Sequence, residues 1–207
     1  MFPAAPVARE WGLSGGDLAD PGVLAAISVE ILPRVRLYPG YLGAVLMVDR
    51  HRSLLRSLVF WSSQDDLARA AGPGAAVVEA VLALSSAQLI GRHTHDVVWT
   101  DLGGLPSCTV RPGDASRLLV DLGGVDDELD SVPPAALSRV PGSLGAVVLR
   151  DRERASVRWV SFRHEEGRSS SGTARVTPLE GLTADGGGPL ELLACDLVTL
   201  RGRAGAP

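Results

Sequence analysis

Residues 39–60 read PGYLGAVLMVDRHRSLLRSLVF, and residues 141–162 read PGSLGAVVLRDRERASVRWVSF. The two stretches align without a gap at a constant offset of 102, and 11 of the 22 positions are identical. Identity of that density marks two copies of one structural unit. Each copy is a Pro-Gly turn, an apolar run too short for an ordinary helix, a charged Asp-Arg-x-Arg tip and a second, alternating run. That pattern predicts a β-hairpin, made twice.

Outward from the repeat, 207 residues suit two halves of about a hundred each. A hydrophobic content of 45% is enough for a packed core in both. The net charge of −4, with no lysine and no local basic cluster, argues against a nucleic-acid partner. The longest apolar runs fall far below membrane-spanning length, and residues 1–12 carry no secretory pattern, so no membrane association is expected. Cys108 and Cys195 are too few and too far apart to imply a disulfide framework, and a cytoplasmic setting is the simplest expectation.

In chain order, residues 6–13 suit a first strand. Asp20-Pro21 reads as an N-cap with proline at the first helical position, opening a helix whose apolar stripe is Val23, Leu24, Ile27 and Ile31. Pro33 is expected to kink or end it. After the first hairpin, Ser62-Ser63-Gln64-Asp65-Asp66 resembles a capping box. Gly72-Pro73-Gly74 should interrupt the helix, which resumes over 75–90, apolar on most sides as a buried helix would be. Residues 93–100 read as a closing strand. The half is therefore βαββαβ. Residues 103–113 read as a linker, 116–122 as a strand, 125–139 as a broken helix, and 142–163 as the second hairpin. Only a short helical candidate remains over 179–184 before a last strand over 190–200, in which Cys195-Asp196 echoes His95-Asp96. The expectation is an α+β fold with halves 1–103 and 104–207, the second with a degenerate second helix.

A Pro-Gly-Tyr-Leu-Gly entry to the second strand, a hairpin, and a third strand ending Phe60-Trp61-Ser62-Ser63 before an acidic helix start resembles the antibiotic biosynthesis monooxygenase family. The resemblance is best over 38–69 and recurs without the helix over 140–164. It implies two ferredoxin-like halves forming a fused dimeric α/β barrel. The internal pseudo-dimer leaves room for a further homodimer. It also implies oxidation of an aromatic polyketide, of anthrone or phenol type, by molecular oxygen with no cofactor. A non-oxidative cyclase or decarboxylase, or a non-catalytic ligand-binding or assembly protein, is the alternative.

Strand alternation places Ser57, Val59 and Trp61 on one face, with Trp159, Ser161 and Arg163 as their counterparts in the second copy. The resemblance implies a site role for Trp61, as a flat wall with one N–H donor, although a core aromatic is the competing reading. Its catalytic members are expected to carry Asn where this chain has Ser57. His93 and His95, two apart on a strand and read as sharing a face with Val97 and Trp99, are the candidate bases. The alternatives for them are a hydrogen-bonded strand-end pair or a two-histidine metal site, and no third ligand sits at diagnostic spacing. Val59, Trp99, Trp159 and Arg163 complete the substrate-binding set, and no metal is assigned. The hairpin tips, with Arg50, Arg52, Arg152 and Arg154, read as solvated turns. A substrate reading requires open volume beside Trp61, unfilled by side chains from residues 77–89.

Overall fold

The structure, a computed structural model, describes residues 5–102, 118–126, 143–154, 156–164, 183–184 and 190–196. Among these, β1 (Val7–Ser14), α1 (Pro21–Val35), β2 (Tyr41–Asp49), β3 (Leu54–Trp61), α2 (Gln64–Arg69), α3 (Ala71–Ser85) and β4 (Gln88–Asp101) precede five further strands. Those are β5 (Leu118–Asp126), β6 (Ser143–Asp151), β7 (Ser156–His164), β8 (Thr183–Ala184) and β9 (Leu190–Asp196). The fold is α+β, with an antiparallel sheet that curls.

The strand order is β7-β6-β4-β1-β3-β2-β9-β5-β8, and β7 also pairs with β5. That last ladder runs from Leu118↔His164 to Asp126↔Ser156 and brings the curled sheet round onto itself. The first four strands lie in the order β4-β1-β3-β2, and β9-β5-β7-β6 repeats that permutation. The two groups meet twice, at β4–β6 and at β2–β9.

Both predicted hairpins form, and they are copies in detail. Each has a register shift at its entry, between Tyr41 and Gly43 and between Ser143 and Gly145, after which Gly43 faces Phe60 and Gly145 faces Phe162. At the tips Asp49 accepts the backbone N–H groups of His51 and Arg52, at 3.0 and 3.1 Å. Asp151 does the same for Glu153 and Arg154, at 2.8 and 3.1 Å. A carboxylate closing a turn on its own backbone explains why each tip begins with aspartate.

The repeated phenylalanines Phe60 and Phe162 are both fully buried, in one core with Leu58, Met47, Val160 and Leu149. That core fills the inside of the curl and draws on both groups of strands. Each such side chain contributes about 1.5–3 kcal/mol by leaving water. A second core on the outer face, containing Leu24, Ile27, Leu46, Leu55 and Val81, packs α1 and α3 against β2 and β3.

Beyond the apolar core, the same inner face carries a buried ionic cluster. Glu10 accepts from Arg56 Nη1 at 2.9 Å and lies 2.9 Å from His95 Nε2, with Arg158 Nη1 at 3.4 Å. Arg56 and Arg158 are the same position of the two repeats, and both converge on one carboxylate. Burial alone would raise the Glu10 pKa, but the His95 hydrogen bond and the arginine charges overcome it and push the value down to about 2.

The helix caps follow the sequence. Asp20 Oδ1 accepts from Gly22 and Val23 N–H at 2.7 and 3.0 Å, and Ser63 Oγ from Asp66 N–H at 3.2 Å. Several expectations need correction. Pro33 does not end α1: it lies inside the helix, which runs on to Val35. The helical break falls at Ala70, before the Gly-Pro-Gly, and α3 stops at Ser85. Ser86 is left-handed (φ 52°), and Asp17 N–H takes the Ser85 carbonyl at 2.7 Å, so residues 88–90 start β4 instead. The helix is not buried all round: only Val81 and Ser85 are, and Leu84 is exposed. Thr183–Ala184 is a strand beside Gly123 and Gly124, and Val125 and Asp126 belong to β5. In register Asp196 matches Asp101, each facing the repeat alanine, Ala44 or Ala146, so the Cys195-Asp196 echo is not an equivalence. The second tip is not simply solvated either. Asp151 is buried, and Arg152 donates to Asp96 from Nε at 2.9 Å and to Gln64 at 2.6 Å. The linker, the broken helix, most of the degenerate helix and residues 197–207 lie outside the described residues.

Because Glu10 is ionised more readily folded than unfolded, its contribution is present above pH 4.5 and is lost as pH falls toward 2. The difference in unfolding free energy between the native chain and Glu10→Gln should therefore shrink by on the order of 3 kcal/mol between pH 5 and pH 2. Denaturant titrations across that range measure it.

Candidate active site

The outer face of the first four strands is a grid of side chains set by strand register. One row runs Arg92, Trp11, Ser57, Leu46; the next Thr94, Arg9, Val59, Ala44; the third Asp96, Val7, Trp61, Tyr41. Helices α1, α2 and α3 cross this face but do not seal it. Between them and the sheet lies a cavity with about 90 Å³ of space reachable by the centre of a water molecule. That is several times the roughly 10–15 Å³ that admits one water. Val77, Val78 and Val81 of α3 form its roof and do not fill it. The open volume demanded by a substrate reading is present.

Trp61 sits at the end of β3 in a cluster with Val7, Val35, Leu67 and Ala70, 4% exposed. Tyr41 meets its ring edge-on, at 6.2 Å between centroids and 82° between planes. The Tyr41 hydroxyl donates to Asp196 Oδ2 at 3.1 Å, and Arg36 Nε reaches the same oxygen at 2.7 Å. Burial, then the neighbouring Asp196, raises the Tyr41 pKa and keeps the phenol protonated. Trp61 is thus both a core aromatic and a cavity wall. Its indole Nε1 is buried with no hydrogen-bond partner among the described residues, an unusual state for a donor.

Just beyond Trp61, the chain turns into α2 around Asp66. Ser63 Oγ donates to Asp66 Oδ2 at 2.7 Å, and Ser62 and Arg69 also donate to this carboxylate. The Ser62 and Ser63 hydrogen bonds lower its pKa, with Arg69 acting in the same sense against burial. Gly40 holds the facing turn at φ +79°, and a Cβ there would lie 2.2 Å from Asp66 Cγ.

The expected site residues divide. Trp61, Ser57 and Val59 line the cavity. His93 and His95 point through the opposite face of β4, into the inner ionic cluster. His95 is fully buried on Glu10, and His93 Nδ1 is 3.5 Å from Asp151 Oδ2, with 6.2 Å between the two rings. Trp99 does not share their face. The β4–β6 register shifts between Val97 and Trp99, which turns Trp99 outward against Trp159, Val148 and Val157. Trp99 and Trp159 therefore form a cluster of their own, and Trp159 Nε1 is likewise buried and unpartnered. The Arg163 side chain lies outside the described residues. Among the described residues, no three His, Cys, Asp or Glu side chains cluster to hold a metal.

Two arginines that sequence reading passed over stand in the cavity wall. Arg9 has a buried, unpartnered Nε, and Arg92 stacks on Trp11 with its guanidinium carbon 4.9 Å from the ring centre. Burial lowers the Arg9 pKa, as does the neighbouring Arg92, with Glu153 opposing them. The alternation of Val7, Arg9, Trp11 and Leu13 in β1 was a usable signal, because it puts all four on the face that receives Trp61.

No family model matches the chain, and no curated protein matches its sequence. Solved structures do match in fold. One is a candidate monooxygenase from Fusobacterium nucleatum subsp. nucleatum, with a TM-score of 0.64 and 11% identity over 96% of this chain and 97% of that one. Another is an anthrone oxidase-like protein, with a TM-score of 0.53 and 18% identity over 91% of each chain. At such identities the likeness is one of fold.

Gly40→Ala should cost about 1 kcal/mol or more, since it both strains a left-handed turn and displaces Asp66. Chemical denaturation of the variant against the native chain checks this.

Proposed function

We propose that the chain is a monooxygenase that uses no cofactor and oxidises an anthrone- or phenol-type aromatic, such as a polyketide intermediate of antibiotic biosynthesis, in the cavity beside Trp61. The observation that carries this reading is an open apolar cavity on the sheet's outer face with an unpartnered indole N–H at its wall. The fold shared with a candidate monooxygenase and an anthrone oxidase-like protein supports it.

In such an oxidation the substrate is its own reductant. A methylene flanked by aromatic rings becomes a carbonyl by taking one oxygen atom from O2, and its two hydrogens leave with the other oxygen as water. The protein supplies a dry pocket, orientation and a donor for the oxyanion of the enolised substrate. Trp61 Nε1 is assigned that donor role. Val59 and the α3 valines form the apolar walls, and Ser57 offers a second, shorter donor. With His93 and His95 on the other face of β4, the base role expected of them is not carried into this reading.

The same reading takes the chain as two fused copies, 1–103 and 104–207. The shared strand permutation, the matching register shifts and the identical aspartate turns support it. The first copy holds the working cavity.

Anthrone incubated with the protein in air should yield the quinone. The rate should fall under argon and stay unchanged with a chelator. Trp61→Ala would open a core void worth about 3–5 kcal/mol, so Trp61→Phe is the cleaner variant. It keeps the ring and removes the N–H, and kcat should drop about ten- to hundredfold, the worth of one hydrogen bond to a charged oxygen at about 1.5–3 kcal/mol. Full turnover by a folded Trp61→Phe would remove Nε1 from the mechanism, and no turnover of any anthrone would remove the oxygenase reading.

A further inference from the structure

Among the described residues, the cavity wall contains no histidine, aspartate or glutamate, so none of the described side chains in it is suited to act as a general base at neutral pH. It does contain two cations. Arg92 faces Trp11 across the β1–β4 ladder and Arg9 faces Thr94, which makes the arginines diagonal neighbours, roughly 7–8 Å apart along the backbone. Among the described residues, neither has a carboxylate within ion-pair distance.

The surrounding charges are committed elsewhere. On the sheet, Asp96 accepts Arg152 Nε at 2.9 Å. At the start of α2, Asp66 is taken by Ser62, Ser63 and Arg69. Among the described residues, helices α1 and α3 bring only apolar residues and Gly74 to the wall, and Tyr38 is its one other titratable group. From the second hairpin tip, the exposed Glu153 acts on Arg9 through its field alone. Arg9 is partly buried and loses hydration while Arg92, exposed at the rim, repels it, and an anion placed against both offsets that cost.

We propose that Arg9 and Arg92 form an anion-holding pair that takes a phenolic ligand in its ionised form, so that the cavity needs no general base. The inference rests on the proposed use of this cavity for a phenol-type substrate and names the state in which that substrate binds. The phenolic proton leaves to solvent on binding, and the phenolate oxygen lies against the guanidinium groups. Trp11 is stacked under Arg92 and holds that guanidinium over the cavity mouth. The ring of the ligand lies on Val59 and Trp61.

The sign of one measurement tests this. Burial in an apolar pocket raises a phenol's pKa, whereas a pair of cations lowers it. 4-Nitrophenol, whose phenol and phenolate absorb at different wavelengths, is titrated with pH in the presence of saturating native protein. The bound phenol should ionise a pH unit or more below the free one, equivalent to phenolate binding about tenfold or more tighter than phenol. Arg9→Gln and Arg92→Gln should each remove most of that shift, and Arg9→Lys should retain it.

A bound phenol that ionises at or above its free value overturns the pair while leaving the cavity a ligand site. A shift that survives both glutamine variants does the same. If neither 4-nitrophenol nor anthrone binds, the cavity is not a ligand site, and the pair falls together with the oxygenase reading. The native titration alone reads the sign, so the test stands even if a variant fails to fold.

Discussion

Strand β3 faces two unlike environments at once. Its even positions, Arg56, Leu58 and Phe60, face the inside of the curled sheet, and its odd positions, Ser57, Val59 and Trp61, face the helices and the cavity. A side-chain period of two makes this division unforgiving, because a slip of one residue would drive Arg56 into the helical core and Trp61 into the inside of the curl. The register is held from both sides, by β1 along its whole length and by β2 through the irregular pairing at Tyr41 and Gly43. The second hairpin reproduces that irregularity at Ser143 and Gly145, where Gly145 permits Asp101 O to approach within 2.4 Å of where a Cβ would stand.

The two faces treat charge in opposite ways. Inside, Glu10 is matched by Arg56, Arg158 and His95, so the burial of several ionisable groups is offset by mutual contacts. A misregister of these strands would leave a buried charge without its partners. Outside, Arg9 and Arg92 sit together with no carboxylate at ion-pair distance among the described residues, and Glu153 acts on Arg9 only through its field. Such a pair beside an open apolar volume is the feature that a bound anion would complete, and the proposed site lies on that face.

Much of this architecture was legible in the chain. The repeat at offset 102 predicted both hairpins and placed a charged Asp-Arg-x-Arg at each tip, and Asp20 and Ser63 announced their helices through capping chemistry. The outward row of β3, with Trp61 at its end, followed from alternation alone. What escaped depended on neighbours distant in sequence. The end of α3 is set by Asp17 reaching the Ser85 carbonyl, which composition over residues 75–90 could not show. A register shift within β4 parted Trp99 from the histidines, and periodicity has no means of anticipating a bulge. Glu10 drew no attention because its partners lie 46, 85 and 148 residues away. Arg9 and Arg92 are 83 residues apart in the chain, and only the β1–β4 ladder sets them side by side.

The central claim is that the ligand binds on the outer face of the first four strands and nowhere else. Four tryptophans report on it: Trp11 and Trp61 in the cavity wall, Trp99 and Trp159 together in the separate cluster between β4, β6 and β7. A 1H–15N spectrum of the indole N–H groups, recorded while an anthrone or its hydroxylated analogue is added, separates the two sites directly. The account predicts that the Trp11 and Trp61 resonances shift while Trp99 and Trp159 stay in place. Movement of Trp99 and Trp159, with Trp11 and Trp61 unchanged, would contradict it.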